Sequence, residues 1–124
     1  MRKRFEPWRW AAILVALLCL VSAVGAEEAK DVANPFDGRD DLIPQGRTLF
    51  NVHCSHCHGP NAVQGERKRD LRRLSRRYNE RMPAVFYQTV TTGRADKGMP
   101  PWKGVLEDEA LWTIFTFLET VQKE

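Results

Sequence analysis

Metal-binding and cross-linking side chains are scarce in this sequence. Cysteine occurs three times and histidine three times in 124 residues. All three histidines and two of the cysteines lie within HCSHCHG, residues 53–59. Structural zinc commonly takes four ligands from two separated pairs, and no second pair exists. Cys54 and Cys57 are too close in sequence for a disulfide between them to close a useful loop. The chain also lacks any long alternation of apolar and polar residues, the mark of a strand. That removes the strand–helix–strand setting of a thioredoxin-like C-x-x-C pair. Large apolar side chains are few outside the first and last helical stretches of residues 43–124, where arginine crowds in instead. A domain this small usually needs a staple, and a bulky apolar cofactor would supply the missing core.

Long hydrophobic runs are missing too. The longest uncharged one, AAILVALLCLV over 11–21, falls short of the roughly 18 residues of a membrane span. It follows a basic head of Arg2, Lys3, Arg4 and Arg9 and precedes SAVGA, where Val24 and Ala26 supply small residues at positions −3 and −1. This is the layout of a secretory signal over 1–26, cut after Ala26; the alternative is an uncleaved N-terminal membrane anchor. Leu18 before Cys19 does not suit lipid attachment, and MRKRF lacks a twin-arginine pattern. Export implies the periplasm, an oxidising compartment, and leaves no membrane span after cleavage. Net charge then vanishes: the leader holds four of the 19 basic and one of the 16 acidic residues, leaving 15 of each. The basic character of the whole chain is therefore no argument for a nucleic-acid partner.

What is present reads as all-α. Residues 27–43 form an acidic, extended linker with little to bury. A calcium loop at DGRDD is rejected because Ala33 and Pro35 fall where ligands belong. The domain proper spans 44–124. A first helix starts near Pro44, a residue tolerated in a first turn, and runs into the motif. Gly59–Gly65 is loop, RKRDLRRLSRRY (67–78) a short helix, and a third helix runs from Pro83 to near Gly93. RADKGMPPWKGVL (94–106) is irregular, with two glycines and two prolines. From Glu107 to Val121, Leu111, Ile114, Phe115, Leu118 and Val121 recur at three- and four-residue steps, which predicts an amphipathic helix. Glu107, Asp108 and Glu109 suit its positive end.

C-x-x-C-H, here Cys54-Ser55-His56-Cys57-His58, is the attachment signature of c-type haem. Two thiols three residues apart can add to the two vinyl groups of one porphyrin, which holds the adjacent imidazole of His58 beneath the iron. His56, between the anchors, has no approach to the metal, and His53 precedes the first anchor. Both read as exposed or packed on the haem edge. With no histidine downstream, the second axial ligand falls to a methionine. Met99, in the Gly/Pro loop GMPPW before the last helix, is preferred over Met82, which lies at a helix start where a core or capping role is more ordinary. The second nitrogen of His58 should donate to a backbone carbonyl, with Pro60 the nearest acceptor in sequence.

CSHCHG, then GMPPW some forty residues on, then EALWTIFTFLETV resemble the class I cytochrome c family over about residues 44–122. The resemblance implies a small cytochrome c fold of three to five helices around one covalent haem c. It implies that the first and last helices cross beside the haem, Gly46 and Phe50 meeting Phe117 or Trp112. Leu71 would line the pocket and Trp102 its edge. RKRD stands before Leu71 where bacterial relatives often carry a proline.

Thioether and imidazole ligation together raise the reduction potential and leave substrate nowhere to bind. The expectation is a periplasmic electron carrier, not an enzyme, serving redox proteins such as a dehydrogenase, oxidase or reductase. Alternatives are a dedicated electron-accepting subunit of one dehydrogenase, for example a quinoprotein alcohol dehydrogenase, and a ligand-binding sensor from which Met99 dissociates. Glu66–Arg81 carries eight basic and three acidic residues, and 27–41 six acidic and two basic. The basic block is either a solvated face or a docking patch for an acidic partner.

Overall fold

A computed structural model of the protein describes residues 32–123. The expected signal segment 1–26 and the first residues of the lead-in lie outside that range. Helix α1 (Ile43–His53) carries Pro44 in its first turn and, after a kink at Cys54, is followed by the single turn α2 (Ser55–His58). Helix α3 (Leu74–Tyr78) is short, α4 (Met82–Thr92) ends on Gly93 at φ +71°, and α5 (Asp108–Thr120) closes the chain. Among the described residues there is no strand, only isolated bridges at Arg94–Met99 and Lys103–Leu106. None of their helices is long and apolar enough to cross a membrane.

The core is the crossing of α1 and α5. A side chain at Gly46 would put its Cβ 2.1 Å from the Thr113 carbonyl oxygen and 2.9 Å from Phe117 Cβ, so only glycine lets the backbones meet. One turn on, Phe50 packs against Phe117 at 5.6 Å between ring centres, and both are fully buried. Phe117, not Trp112, is thus the aromatic opposite Phe50. Trp112 turns to α4, stacked on Tyr87 at 5.1 Å and 2°.

Three expectations need correction. Helix α5 is not amphipathic through its middle: every residue from Leu111 to Leu118 is buried. Helix α1 covers one side, α4 another through Phe86 against Phe115 at 4.8 Å, and the lead-in a third; a helix covered all round sits inside a core.

The lead-in, expected as a solvated linker, is exposed over residues 37–41 but tied down just upstream. Asn34 is buried and donates to Thr116 Oγ1 at 3.1 Å and Glu119 Oε2 at 2.8 Å. Val32 and Phe36 pack against the core beside it.

The arginine-rich segment is helical only from Leu74. Upstream, the Asp70 carboxylate accepts the Arg72 backbone N–H at 3.0 Å and its guanidinium at 2.9 Å. This local turn competes with the helical ladder. The pair is shielded, Arg72 and Asp70 side chains being 16% and 9% exposed, and the Arg72 guanidinium holds the Asp70 carboxyl below the usual range.

Candidate functional site

The kink at Cys54 sets the motif. Cys54 has left the ideal helix at φ −113°, though its N–H still bonds the Phe50 carbonyl. His58 N–H bonds the Cys54 carbonyl, so the five residues wind into one compact turn. Gly59 ends it at φ +77°, where a Cβ would lie 2.0 Å from the Val63 carbonyl oxygen. The following loop is clamped to α1 by Asn51, whose side chain exchanges two hydrogen bonds with Asn61, at 2.8 Å to its N–H and 3.1 Å to its side chain.

Cys54, Cys57, His58 and Met99 all line one cavity of about 260 Å3. Burial, with the Cys57 charge second, pushes the Cys54 thiol up to about 11, so the uncombined thiol is held protonated and not poised as a thiolate. His58 Nδ1 lies 2.8 Å from the Arg69 carbonyl oxygen. A carbonyl can only accept, so Nδ1 carries the proton and the Nε2 lone pair is free for a metal. The partner is Arg69 and not Pro60, because Pro60 opens a tight 3-10 turn while residues 66–70 fold back onto the imidazole. His56 is exposed. His53 is half-buried and meets Trp102 edge-on at 5.7 Å.

Met99 is held by its backbone. Arg94 N–H donates to the Met99 carbonyl at 2.8 Å, Met99 N–H to the Arg94 carbonyl at 3.0 Å, and Trp102 N–H to the Val90 carbonyl at 2.8 Å. The loop therefore rests on the end of α4, where Gly93 leaves no room for a Cβ: it would fall 2.6 Å from Pro101 N. Met82 also lines the cavity but is buried as part of the core cluster.

Leu71 and Trp102 line the same cavity with Leu74, Val85, Phe86 and Val90, while Lys68, Arg69, Arg77, Arg94 and Lys97 contribute five positive charges against the one carboxylate of Asp70. Tyr78 completes this charged part. Burial would raise its phenol, but the neighbouring Arg77 and Arg94 guanidinium groups together outweigh burial and hold it below its ordinary value. Tyr78 and Arg94 went unnoticed in the sequence, since they are sixteen residues apart and nothing local links them. Among the described residues no three His, Cys, Asp or Glu side chains group as metal ligands, which leaves a zinc site without its donors. An apolar pocket with one thiol pair, the free imidazole nitrogen of His58, the thioethers of Met99 and Met82 and a cluster of cations fits a porphyrin bearing carboxylates.

The family described as Cytochrome C oxidase, cbb3-type, subunit III matches residues 41–118. The chain belongs to this family of c-type cytochromes. Its cofactor is haem c, covalently bound and carrying iron. A cytochrome c550 of Pseudomonas aeruginosa is 30% identical to this cytochrome over 90 residues, 70% of this chain and 61% of its own. The quinohemoprotein alcohol dehydrogenase ADH-IIG of Pseudomonas putida is 32% identical over 76 residues, 61% of this chain and 10% of its own. The cytochrome thus spans less than two thirds of the length of either relative. No solved structure matches it significantly.

Proposed function

We propose that this cytochrome is a periplasmic one-electron carrier, with Cys54 and Cys57 as the thioether anchors and His58 and Met99 as the axial ligands. The observation that carries the reading is the hydrogen bond from His58 Nδ1 to the Arg69 carbonyl. It fixes the tautomer and orientation that a ligating imidazole needs, on the residue beside the second thiol. Haem c supplies the exchange of one electron between ferrous and ferric iron. The protein's part is to hold and tune it. The Met99 thioether favours the ferrous form relative to a second imidazole, and the apolar wall of Leu71, Leu74, Val85 and Val90 keeps water out and disfavours the ferric charge. Arg77, Arg94 and Tyr78 offer donors to the haem carboxylates. With His58 and Met99 both holding the iron, the haem would exchange electrons and leave no open position for a substrate, the arrangement of a carrier and not of an enzyme.

Its partners are redox proteins, and the cations at the cavity favour an acidic one. Seven of the eight basic residues between Glu66 and Arg81 are exposed, only Arg72 being half-buried. Arg94 and Lys97 join them from another segment. Electron transfer with an acidic partner should slow as ionic strength rises; a rate indifferent to salt removes the docking role. A second reading, a dedicated electron-accepting unit of one dehydrogenase, draws support from the match to a segment of a quinohemoprotein dehydrogenase.

The test is a visible spectrum of protein exported alongside haem-maturation machinery. Reduction should give a sharp α band, and the oxidised form a weak methionine-to-iron band that Met99→Ala abolishes and Met82→Leu preserves. A colourless exported protein, or a spectrum indifferent to Met99→Ala, overturns the assignment.

A further inference from the structure

Gln122 lies just past the end of α5, outside the haem-binding motifs, yet its side-chain amide is fully used. Oε1 accepts the Leu74 N–H at 2.8 Å and the Ser75 N–H at 3.1 Å. Nε2 donates to the Leu71 carbonyl at 3.0 Å and the Leu118 carbonyl at 2.7 Å. Two donors and two lone pairs are all that a primary amide has. Lys123 N–H adds a bond to the Arg72 carbonyl at 2.7 Å.

These bonds converge on one short segment. Helix α3 has no side-chain cap of its own, so Gln122 satisfies its first N–H groups from 47 and 48 residues away. Leu71 and Leu74 of that segment line the cavity, and Arg69 at its start holds the His58 ring. The segment's remaining polar support is local, from Asp70 to Arg72. Helix α5, in contrast, is the most deeply buried element, and Gln122 is bonded to it through Leu118.

We propose that Gln122 is a positioning residue for the haem pocket. It transfers the rigidity of α5 to residues 69–75, and so fixes both the leucine wall and the carbonyl that orients His58. The inference rests on His58 being an axial ligand, as proposed above. A chain with Gln122 replaced keeps its thioether anchors and both axial side chains, but its wall loosens and water reaches the iron's surroundings.

The experiment compares holoprotein variants Q122A, Q122E and N34A. Asn34 bonds Thr116 and Glu119 and does not line the cavity, so N34A controls for general loss of stability. Four quantities are read: the thermal midpoint, the reduction potential, the rate of imidazole binding to the ferric form, and exchange of the Leu74, Ser75 and His58 ring N–H protons by NMR. In Q122A the three N–H groups should exchange at least tenfold faster, imidazole should bind faster, and the potential should fall. Q122E keeps the acceptor half of the bonds, so Leu74 and Ser75 exchange should rise less, but its carboxylate repels the Leu71 and Leu118 carbonyls, so His58 exchange and the potential should shift as in Q122A. N34A should lower the midpoint and leave potential, imidazole binding and these exchange rates unmoved. The proposal is overturned if Q122A, or Q122E should Q122A not fold, lowers the midpoint as N34A does while the potential and His58 exchange stay at wild-type values. The wild-type spectrum reports on the ligands independently, so a normal spectrum with that outcome counts against Gln122 alone.

Discussion

The α1–α5 crossing and the wall over residues 63–78 and 94–106, irregular apart from α3, enclose the same cavity by different physics. The crossing is held by side-chain volume: Phe50 and Phe117 are fully buried, and the helices touch at Gly46 with no hydrogen bond between them, only the Arg47 guanidinium over the Phe117 ring. The wall is held by single hydrogen bonds, some local and some from distant partners, with few buried side chains of its own. Gln122 ties residues 71–75, Val90 holds Trp102, and Arg94 holds Met99. A region packed by volume can form without cofactor; one walled by single bonds around an apolar space depends on what fills that space.

The largest effect should come from filling the crossing. Gly46→Ala drives a Cβ into the Thr113 carbonyl, a backbone group that cannot swing aside. Overpacking of this kind should cost about 3 kcal/mol, read as a lower guanidinium midpoint of the holoprotein. Gly65→Ala, with nothing within 4 Å of the added Cβ, should stay within about 0.5 kcal/mol. Equal losses at the two sites would contradict the account of the crossing.

A regional effect should follow from leaving the haem out. In a C54S/C57S chain, amides of α1 and α5 should keep measurable protection from hydrogen exchange, while those of residues 69–78 and 94–102 exchange as open chain. Uniform loss across both regions would instead make them one cooperative unit.

The same division explains what could be read from the sequence. The two helices were legible because their signals are local, Pro44 opening α1 and the three- and four-residue spacing from Leu111 to Val121, whereas their crossing at Gly46 and Phe50 was implied only by the family resemblance. The motif and the Gly/Pro loop also pointed to four residues that the structure brings to one cavity. Misreadings cluster where long-range bonds decide. Leucines among arginines at 67–78 suggested a helix, but its first half is spent on the Asp70 turn and on presenting the Arg69 carbonyl to His58. Spacing in sequence cannot show that an imidazole bonds eleven residues downstream rather than two. The lead-in looked solvated because its acids dominate its composition, while a single asparagine reaching 82 residues across the chain leaves no local trace.

That asparagine supplies the smallest and most specific prediction. Partial desolvation of the Glu119 carboxylate by the packed lead-in, with the nearby Asp37 charge, outweighs the Asn34 hydrogen bond and holds Glu119 above its ordinary value of 4.5. An acid that binds its proton more tightly folded than unfolded contributes stability that is fully present below the unfolded value. That contribution is lost as pH rises through the folded one, because the folded state then holds the extra proton. The wild-type thermal midpoint should therefore carry a downward component as pH rises from about 4.5. Glu119→Gln keeps an oxygen for the Asn34 amide but has no proton to lose, so the component should vanish and the variant should equal or exceed wild type at neutral pH. The residue is exposed at the surface, so solvent screens the charge and the difference should be small. A variant that is less stable than wild type at neutral pH would mean that the ionised carboxylate holds the lead-in in place, and that this contact belongs with the bond-tied wall and not with the volume-packed crossing.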